Sequence, residues 1–442
     1  MAIGRVHQAA NQLYYLPFYS MRRRSFIQKM AVAGAATMFM PYLDLMASPN
    51  VRKVKITNIK TVRTKIGFRP SLLVKIETDA GIVGIGECHH DENSFGAKDI
   101  IQSVYKPILM GQDPYELERL LFKMSTRTSY YGGNHGIPQH AITGIEMALW
   151  DILGKLADQP VHNILGGGAH RKQVRAYCTT RPRDLLSKDS CAEYAAKMKQ
   201  WKLTAAKVDY IRDQNWERLD NRMLSNNEVE RNARGFQNVR DAVGPDFEIV
   251  VHTHWEMDFD SALRLAHAVA PMKPWWLEDP LPFAYNEQWV RLTEQSPVPI
   301  LTGENLYTRD DFRPFIVNGA VHKIEIDVSM TGGLLEAKKI ADMAETYFIP
   351  VVTHNVAGPV ATIASAHWAA TVREFVGHEA FMNQAINQDG KSCNGDPEVL
   401  GYGIDMLKDG YLQFNGKPGL GITLNEKLVK DKYMVPGETW WD

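Results

Sequence analysis

The chain has 442 residues, a formal net charge of −1, and 45% hydrophobic and 23% charged residues, which is ordinary for a globular protein. This balance leaves no basic stripe for nucleic acid and no acidic tail for a charge-driven partner, so we expect neither. The length exceeds that of one small domain and accommodates a (β/α)₈ barrel of about 250 residues together with a second domain.

Residues 1–50 have the pattern of an export signal. A basic run, Arg22–Lys29, precedes the apolar stretch Met30–Met40, and Leu45–Ser48 resembles a small-residue cleavage site. The Arg-Arg-Ser-Phe-Ile sequence is typical of a twin-arginine signal, and the apolar stretch is shorter than the roughly 20 residues that a membrane span needs. We therefore expect a periplasmic or otherwise exported protein with no stable membrane span after processing. The alternatives are a membrane anchor, a chance basic-apolar run, and a start of translation at Met21.

The segment 51–170 has an α+β pattern. The sequence Thr78-Asp-Ala-Gly81 has turn chemistry between two strand-like runs and predicts a hairpin. The run Ala141–Leu156 has one broad apolar face at helical spacing, and the glycine-rich, aromatic Tyr130–Asn134 predicts a loop. The remaining predicted strands and helices are Ile56–Arg63, Leu72–Thr78, Ile82–Gly86, Lys98–Met110 and Pro114–Ser125.

From residue 171 onward, short apolar runs alternate with segments of helical spacing, which predicts βαβ units and a parallel sheet. Polar residues follow many of these runs directly, as Glu278 follows Trp275–Leu277 and Glu304 follows Pro299–Gly303. A (β/α)₈ barrel builds its active site in this way, because the carboxyl ends of its strands meet at one face. The remaining polar residues at predicted strand ends are Lys207, Asp209, His252, His254, Asp327, His354 and Asn355.

Seven short motifs occur in the order in which one family has them: Gly84-Ile-Gly-Glu87, Ala148–Lys155, Leu165-Gly-Gly167, Trp276–Pro280, Thr302-Gly-Glu304, Gly332-Gly333 and Pro418–Gly421. Through them the chain resembles the enolase superfamily, specifically its mandelate racemase/muconate lactonizing enzyme-like branch, from about Val51 to Asn425. Local patches are nearest to galactonate- and mannonate-type sugar acid dehydratases. These patches are Tyr131-Gly-Gly133 leading into Ala141–Ile145, His354–Val360, and His252-Thr-His254.

The resemblance implies an α/β protein, with a (β/α)₇β TIM-like barrel and an α+β N-terminal capping domain. Within the barrel, the strands predicted to open and close the sheet are Val174–Tyr177 and Trp368–Val376. The expected parts of the chain are a signal segment over 1–50, the capping domain over 51–170, the barrel over 171–380, and a C-terminal segment over 381–442 that packs back on the capping domain.

The resemblance also implies a divalent metal, Mg²⁺, held by Glu278, Glu304 and a residue at the end of the third barrel strand. The family has aspartate at that place, and this chain has His252. Because imidazole suits transition metals better than Mg²⁺, the alternative metals are Mn²⁺, Fe²⁺ and Zn²⁺. Asp209, on the neighbouring strand, is a second source of the missing carboxylate. Two further hypotheses are weak or absent metal binding and a shifted register in which Glu256 or Asp258 is the ligand.

Four further residues resemble the acid–base groups of the family. His354 and Asp327 match a dyad in which the carboxylate orients the imidazole and keeps its proton affinity near neutral pH. His254 is the candidate base for the opposite face, and a pocket histidine is the alternative interpretation. Lys207 keeps only the first lysine of a Lys-x-Lys pattern, so it is either catalytic or held in an ion pair.

The resemblance assigns substrate contacts as well. Glu379 resembles the acid that donates a hydrogen bond to a substrate carboxylate oxygen, and Glu374 is the rival assignment. Asn355 is a further expected contact, and Tyr130 and Tyr131 are expected to close over the substrate from the first domain.

The function that these expectations imply is metal-dependent removal of a proton next to a carboxylate. We expect a carbon–oxygen lyase that dehydrates a sugar acid to a 2-keto-3-deoxy acid. The alternatives are an isomerase (a racemase, epimerase or cycloisomerase acting on a similar acid) and a non-catalytic sugar-acid-binding relative. The expected partner is a small acidic sugar, and a homo-oligomer is expected because oligomers are common in the family.

Overall fold

The computed structural model of the protein describes residues 53–67, 69–89, 93–130, 132, 134–212, 223–381 and 397–442. The predicted signal segment and Tyr131 lie outside these residues. Within the described part, no helix combines the length and the apolar character that crossing a bilayer requires.

The chain runs through an α+β section, then alternating strands and helices, then a tail. The α+β section contains β1 (Ile56–Thr64), β2 (Ser71–Thr78), β3 (Val83–Cys88), α1 (Asn93–Ile100), a π-helical turn (Ile101–Tyr105), α2 (Lys106–Leu109), α3 (Leu117–Ser129), α4 (Gly136–Leu156) and α5 (Val161–Gly166). The alternating section contains β4 (Gln173–Thr179), α6 (Lys188–Gln200), β5 (Ala205–Asp209), α7 (Asn226–Val243), β6 (Glu248–His252), α8 (Phe259–Val269), β7 (Trp276–Glu278), α9 (Glu287–Gln295), β8 (Ile300–Thr302), α10 (Arg309–Val317), β9 (Lys323–Ile326), α11 (Val328–Thr331), α12 (Leu334–Thr346), β10 (Val351–Thr353), α13 (Pro359–Ala370) and β11 (Phe375–Phe381). The tail contains β12 (Leu407–Lys408), β13 (Tyr411–Gln413) and α14 (Glu426–Leu428).

The α+β section is a three-stranded antiparallel sheet, β1-β2-β3, and its predicted hairpin between β2 and β3 is confirmed. Helix α4 lies directly on β3, because two glycines of β3 leave no side chain between them. A Cβ at Gly84 would lie 2.0 Å from the Ala148 carbonyl oxygen, and one at Gly86 would lie 2.0 Å from the Gly144 carbonyl oxygen. The motif Gly84-Ile-Gly-Glu87 therefore encodes the contact between this helix and this strand.

The eight strands β4–β11 form a parallel sheet that closes into a barrel. Each strand pairs with the next, and β11 pairs with β4 to complete the ring. The fold class is therefore confirmed as a TIM-like (β/α)₇β barrel preceded by an α+β capping section. The predicted closing strand, Trp368–Val376, is wrong, because Trp368 lies in α13 and the closing strand begins at Phe375. Every residue of α13 is buried, so this helix has no exposed face whose polar residues would distinguish it from an apolar strand.

Three buried carboxylates of the α+β section accept backbone N–H bonds from later parts of the chain. Glu87 accepts from Ala361 N at the start of α13, at 3.0 Å. Glu146 accepts from Leu334 N and Leu335 N at the start of α12, each at 2.9 Å. Asp151 accepts from Leu420 N in the tail, at 2.9 Å. These bonds satisfy N–H groups at the amino termini of α12 and α13, so Glu87 and Glu146 fix the capping section to the helices that follow β9 and β10.

The tail contacts both earlier sections. Strand β13 pairs antiparallel with the first residues of β4. Lys75 of β2 binds Glu426 at 2.7 Å, and Arg63 of β1 binds Glu438 at 2.6 Å. The tail therefore bridges the edge of the barrel sheet and the α+β section.

Candidate active site

Strand register places three of the predicted residues side by side. In the pairing of β5 with β6, Asp209 lies opposite His252, and in the pairing of β6 with β7, His252 lies opposite Glu278. All three residues end their strands at the carboxyl face of the barrel, where a barrel enzyme binds its substrate. Glu304 follows β8 by two residues and adds a fourth side chain to the group.

Four ligand-type atoms converge at this face. His252 Nε2 lies 3.8 Å from Glu278 Oε1, 4.0 Å from Asp279 Oδ2 and 3.9 Å from Glu304 Oε2. All four residues are buried, and one ligand atom from each lies within 4.8 Å of the others. His252 Nε2 and Asp279 Oδ2 have no hydrogen-bond partner among the described residues. Buried polar atoms of this kind are normally paired, and a divalent cation among these four atoms would satisfy both. The residues present therefore fit the metal that the fold implies.

The charge of this cluster supports the same conclusion. Burial and the nearby Lys207 ammonium both lower the pKa of His252, but Asp209, Glu278 and Glu304 outweigh them and leave it above its ordinary value. The carboxylates thus favour the protonated, positively charged imidazole, and a cation bound among them would supply that positive charge instead.

Asp209 lies behind His252 rather than among the converging atoms. Its Oδ1 is 3.0 Å from His252 Nδ1, the ring nitrogen opposite the one that faces Glu278 and Glu304. Burial raises the pKa of Asp209, but the hydrogen bond and charge of His252 outweigh it and hold the pKa well below its usual range. A carboxylate on the outer nitrogen orients a ligating histidine, and Asp209 is placed for that role.

The two residues that a shifted register would supply are engaged elsewhere. Glu256 accepts a hydrogen bond from the Tyr210 hydroxyl at 2.6 Å and pairs with Arg212. Asp258 caps α8 by accepting from Ser261 N at 2.9 Å.

Lys207 is held among three carboxylates. Its Nζ lies 2.6 Å from Glu278 Oε1, 3.1 Å from Glu379 Oε1 and 3.4 Å from Glu304 Oε2. Burial alone would lower the pKa of Lys207, but these carboxylates raise it well above its usual value. An amine that stays protonated cannot accept a proton, so the geometry favours the ion-pair interpretation over a catalytic base.

His354 and Asp327 lie in contact on the other side of Glu304. His354 Nδ1 is 2.7 Å from Asp327 Oδ2, and His354 Nε2 is 3.4 Å from Glu304 Oε2. Burial would lower the pKa of His354, but Glu304, Glu379 and Asp327 raise it well above its ordinary value. The imidazole is therefore a proton donor whose Nε2 points toward the carboxylate cluster.

His254 has the opposite electrostatic setting. Burial and the neighbouring His252 lower the pKa of His254 to about 3, so its imidazole is neutral. The rings of His252 and His254 lie 3.7 Å apart. Both His254 and Trp255 have left-handed backbone, with φ of 55° and 57°, and Trp255 N donates to the Asp279 carbonyl oxygen at 2.7 Å. Such strained residues persist where the surroundings hold them, and they cluster at functional sites.

Glu379 borders the cluster, and its rival does not. Glu379 is fully buried, contacts Lys207, and accepts from Asn355 N at 2.9 Å. Glu374 precedes β11, is half-exposed and pairs with Arg373, so it lies at the opposite end of that strand. The Asn355 side-chain amide donates to Thr362 Oγ1 and to the Glu379 carbonyl oxygen, which makes it a support for Glu379.

Of the two predicted capping tyrosines, the structure describes one. Tyr130 follows α3 and is 89% exposed, whereas Tyr131 lies outside the described residues. The predicted closure over a substrate stays a prediction.

Two features of the site were missed in the sequence. The sequence shows Asp279 only as part of a Glu-Asp-Pro turn, whereas the structure places its buried Oδ2 4.0 Å from His252 Nε2. Glu325 points into the barrel beneath the cluster, where it accepts from the Tyr177 hydroxyl at 3.0 Å. Its position inside β9, two residues before Asp327, was an available signal, because alternate residues of a barrel strand share one face.

Two family descriptions match the chain. Residues 46–166 match the mandelate racemase/muconate lactonizing enzyme N-terminal domain. Residues 190–428 match the family described as enolase C-terminal domain-like.

Curated relatives and a solved structure extend over most of the chain. A D-xylonate dehydratase of Haloferax volcanii is 34% identical over 89% of this chain and 92% of its own length. A D-galactonate dehydratase of Pectobacterium atrosepticum is 31% identical over 86% of this chain and 94% of its own length. The crystal structure of a mandelate racemase/muconate lactonizing enzyme-like protein from Rubrobacter xylanophilus has a TM-score of 0.77 and 32% identity, and the match covers 88% of this chain and all of that one. By these matches the chain belongs to the enolase superfamily, in its mandelate racemase/muconate lactonizing enzyme branch.

Proposed function

We propose that the protein is a sugar acid dehydratase, a carbon–oxygen lyase that converts its substrate to a 2-keto-3-deoxy acid. The observation that carries the proposal is the placement of Glu304 between two groups. Its Oε2 lies 3.9 Å from His252 Nε2 in the ligand cluster and 3.4 Å from His354 Nε2 in the dyad. A charge-stabilising site and a proton donor thus share one barrel mouth, and dehydratases are among the relatives.

His252, Glu278 and Glu304 would hold the divalent metal, with Asp279 as a fourth oxygen donor and Asp209 orienting His252. Magnesium is the metal that the family implies, while the imidazole of His252 favours Mn²⁺, Fe²⁺ or Zn²⁺. A bound cation would supply positive charge to the substrate carboxylate, which lowers the energy of the negative charge that develops as the α-proton leaves.

The chain's own histidines supply the proton transfers. Neutral His254 accepts the α-proton of the sugar acid, and protonated His354 donates its Nε2 proton to the β-hydroxyl. The carbon–oxygen bond then breaks, one water leaves, and the remaining enol becomes the 2-keto acid by tautomerisation. Each imidazole thus starts in the protonation state that its step requires.

The proposal is tested by offering the full chain a library of five- and six-carbon sugar acids with Mg²⁺ or Mn²⁺. We expect a 2-keto-3-deoxy acid from at least one epimer, measured as its semicarbazone. Glu304→Gln should abolish turnover, because it removes a carboxylate from both the ligand cluster and the dyad. Glu374→Gln is the matched control, since that residue lies half-exposed at the opposite end of its strand. Solvent deuterium incorporation without loss of water would overturn the dehydratase and select an isomerase. Tight binding without either reaction would select a binding protein.

We also propose that residues 1–50 direct twin-arginine export. The support is the sequence pattern of a basic run followed by an apolar stretch. Replacing Arg23 and Arg24 with lysine should leave the protein in the cytoplasmic fraction with its N-terminus intact. Equal export of this variant and of the natural chain would contradict the proposal.

A further inference from the structure

The His354–Asp327 pair does not end at Asp327. Ser329 Oγ donates to Asp327 Oδ1 at 2.6 Å, and His89 Nδ1 lies 2.8 Å from the same Ser329 hydroxyl oxygen. All four side chains are buried, with exposures of 6% for His89, 2% for Ser329 and Asp327, and 7% for His354. His89 directly follows β3, so it brings the capping section to this pair. Its Nδ1 is within hydrogen-bond distance of the Ser329 hydroxyl and lies 4.0 Å from Asp327 Oδ2, too far for a direct hydrogen bond.

The direction of the hydrogen bonds from His89 to His354 follows from the single proton of the Ser329 hydroxyl. The Ser329 hydroxyl has one proton, and it points to Asp327 Oδ1, which also accepts Ser329 N at 2.7 Å. The hydroxyl oxygen must therefore accept from His89, which assigns the proton of His89 to Nδ1. Asp327 Oδ2 accepts from His354 Nδ1, so every step points toward the carboxylate and leaves the His354 proton at Nε2 facing the cluster.

We propose that His89 is a positioning residue for the acid–base step, acting on His354 through Ser329 and Asp327. This proposal rests on the proposed role of His354. By donating to Ser329, His89 polarises the hydroxyl and strengthens its bond to Asp327, because linked hydrogen bonds reinforce one another in a low-dielectric interior. The carboxylate that carries these bonds holds the His354 proton less tightly, so His354 becomes a better donor to a leaving hydroxyl. Because the contacts of His89 lead to the Asp327 side of His354, we expect its effect on the chemical step rather than on binding.

The surroundings of His89 show that its ring is held in this orientation. Its ring lies 4.8 Å from that of His140 in α4, and His140 stacks on Tyr307, which follows β8, at 5.7 Å. The contact with His140 thus restricts rotation of the His89 ring away from Ser329.

The test compares His89→Asn with His89→Leu in the full chain. The Asn amide N–H occupies roughly the place of Nδ1–H, so His89→Asn keeps the donor, whereas His89→Leu fills the space without one. We expect His89→Leu to lower kcat about tenfold, the effect of losing one net hydrogen bond, with KM changed less than twofold. His89→Asn should restore most of kcat, and His267→Asn, at an exposed histidine, should have no effect.

A double-mutant cycle separates the proposed path from simple packing. Ser329→Ala removes the hydroxyl that links His89 to Asp327. Adding His89→Leu to this variant should therefore lower kcat no further, which is a non-additive result. Additive losses, or equal kcat in the Asn and Leu variants, would overturn the proposal.

A readout without turnover keeps this inference separate from the proposed function. With ¹⁵N-labelled histidine, the His354 Nδ1–H resonance should shift in His89→Leu and Ser329→Ala and return toward its natural position in His89→Asn. An unmoved resonance in all three variants would overturn the inference even in an active enzyme. If no sugar acid is dehydrated but the resonance shifts as expected, the proposed function fails and the link from His89 to His354 stands.

Discussion

At the residue scale, the two ring nitrogens of His252 have different neighbours. The ring presents Nε2 to three carboxylates and Nδ1 to Asp209 at 3.0 Å. Each nitrogen can therefore be tested separately, because asparagine keeps a donor near the Nδ1 position and glutamine places an amide near the Nε2 position.

We predict that His252→Asn weakens Mn²⁺ binding by about tenfold or more, since it deletes the nitrogen ligand while keeping the bond to Asp209. His252→Gln should bind Mg²⁺ at least as well as the natural chain and lose its preference for Mn²⁺, because an amide oxygen suits the harder ion. Isothermal titration of the metal-free full chain with each ion measures both effects. An unchanged ratio of Mn²⁺ to Mg²⁺ affinity in both variants would show that His252 is not a ligand.

The residues that the sequence could predict are those that end a strand. Glu278, Glu304, His252 and His354 follow apolar runs, and the barrel brings strand ends together. His89 and Ser329 were not predicted, because their contact joins positions 240 apart in the chain and neither residue belongs to a recognisable motif. A hydrogen bond of that kind depends on how two sections pack, which no local pattern encodes.

At the scale of elements, the turn between α11 and α12 depends on glycine. Gly333 has φ of 100° and ψ of −169°, a backbone conformation that only glycine adopts readily. A Cβ there would lie 2.1 Å from Glu146 Oε2, the carboxylate that accepts the first N–H groups of α12. The same atom that caps the helix thus excludes any side chain at this position.

We predict that Gly333→Ala destabilises the protein by about 2–4 kcal/mol, because it adds the strain of a backbone conformation open essentially only to glycine to the loss of the Glu146 hydrogen bonds. Gly319→Ala is the matched control, since Gly319 has φ of 63° and nothing within 4 Å of the added Cβ, and it should cost about 1 kcal/mol. Urea unfolding of both variants gives the comparison, and equal losses would show that Glu146 adapts without penalty.

Element boundaries were predictable where a polar face or a turn marked them. Ala141–Leu156 was predicted from its apolar face and lies within α4, which extends to Gly136. The prediction of a strand over Trp368–Val376 is wrong because α13 is buried on all sides, so its end could not be distinguished from the start of β11. Burial on every side removes the periodicity on which the prediction relied.

At the scale of the whole molecule, Glu146 makes stability depend on pH. Burial raises the pKa of Glu146 to about 7 from an ordinary value of 4.5, although three N–H donors oppose the shift. At pH values between the ordinary and the raised pKa, the folded chain binds more protons than the unfolded chain. By linkage, the free energy of unfolding falls as pH rises through this window, by about 3 kcal/mol from this group alone.

We predict that Glu146→Gln removes this contribution. Urea unfolding at pH 5 and pH 7 should show a larger pH-dependent loss in the natural chain than in the variant. The difference between the two chains isolates Glu146, because Glu87 and Asp151 contribute equally to both. A pH dependence that is the same in both chains would contradict the shift.

The carboxylate caps at Glu87 and Glu146 also limit how this branch can be recombined. They end on the helices that follow the strands carrying Asp327 and His354, and the Cβ positions of Gly333 and Gly358 lie within 2.1 Å of their oxygens. A chimera that exchanges the capping section to alter substrate choice must therefore carry an acidic residue at the positions of Glu87 and Glu146. The barrel that receives it must have glycine at the positions of Gly358 and Gly333. Without that match, the transplanted section would displace the helices that follow Asp327 and His354. This displacement would occur even if none of the transplanted residues touched a substrate.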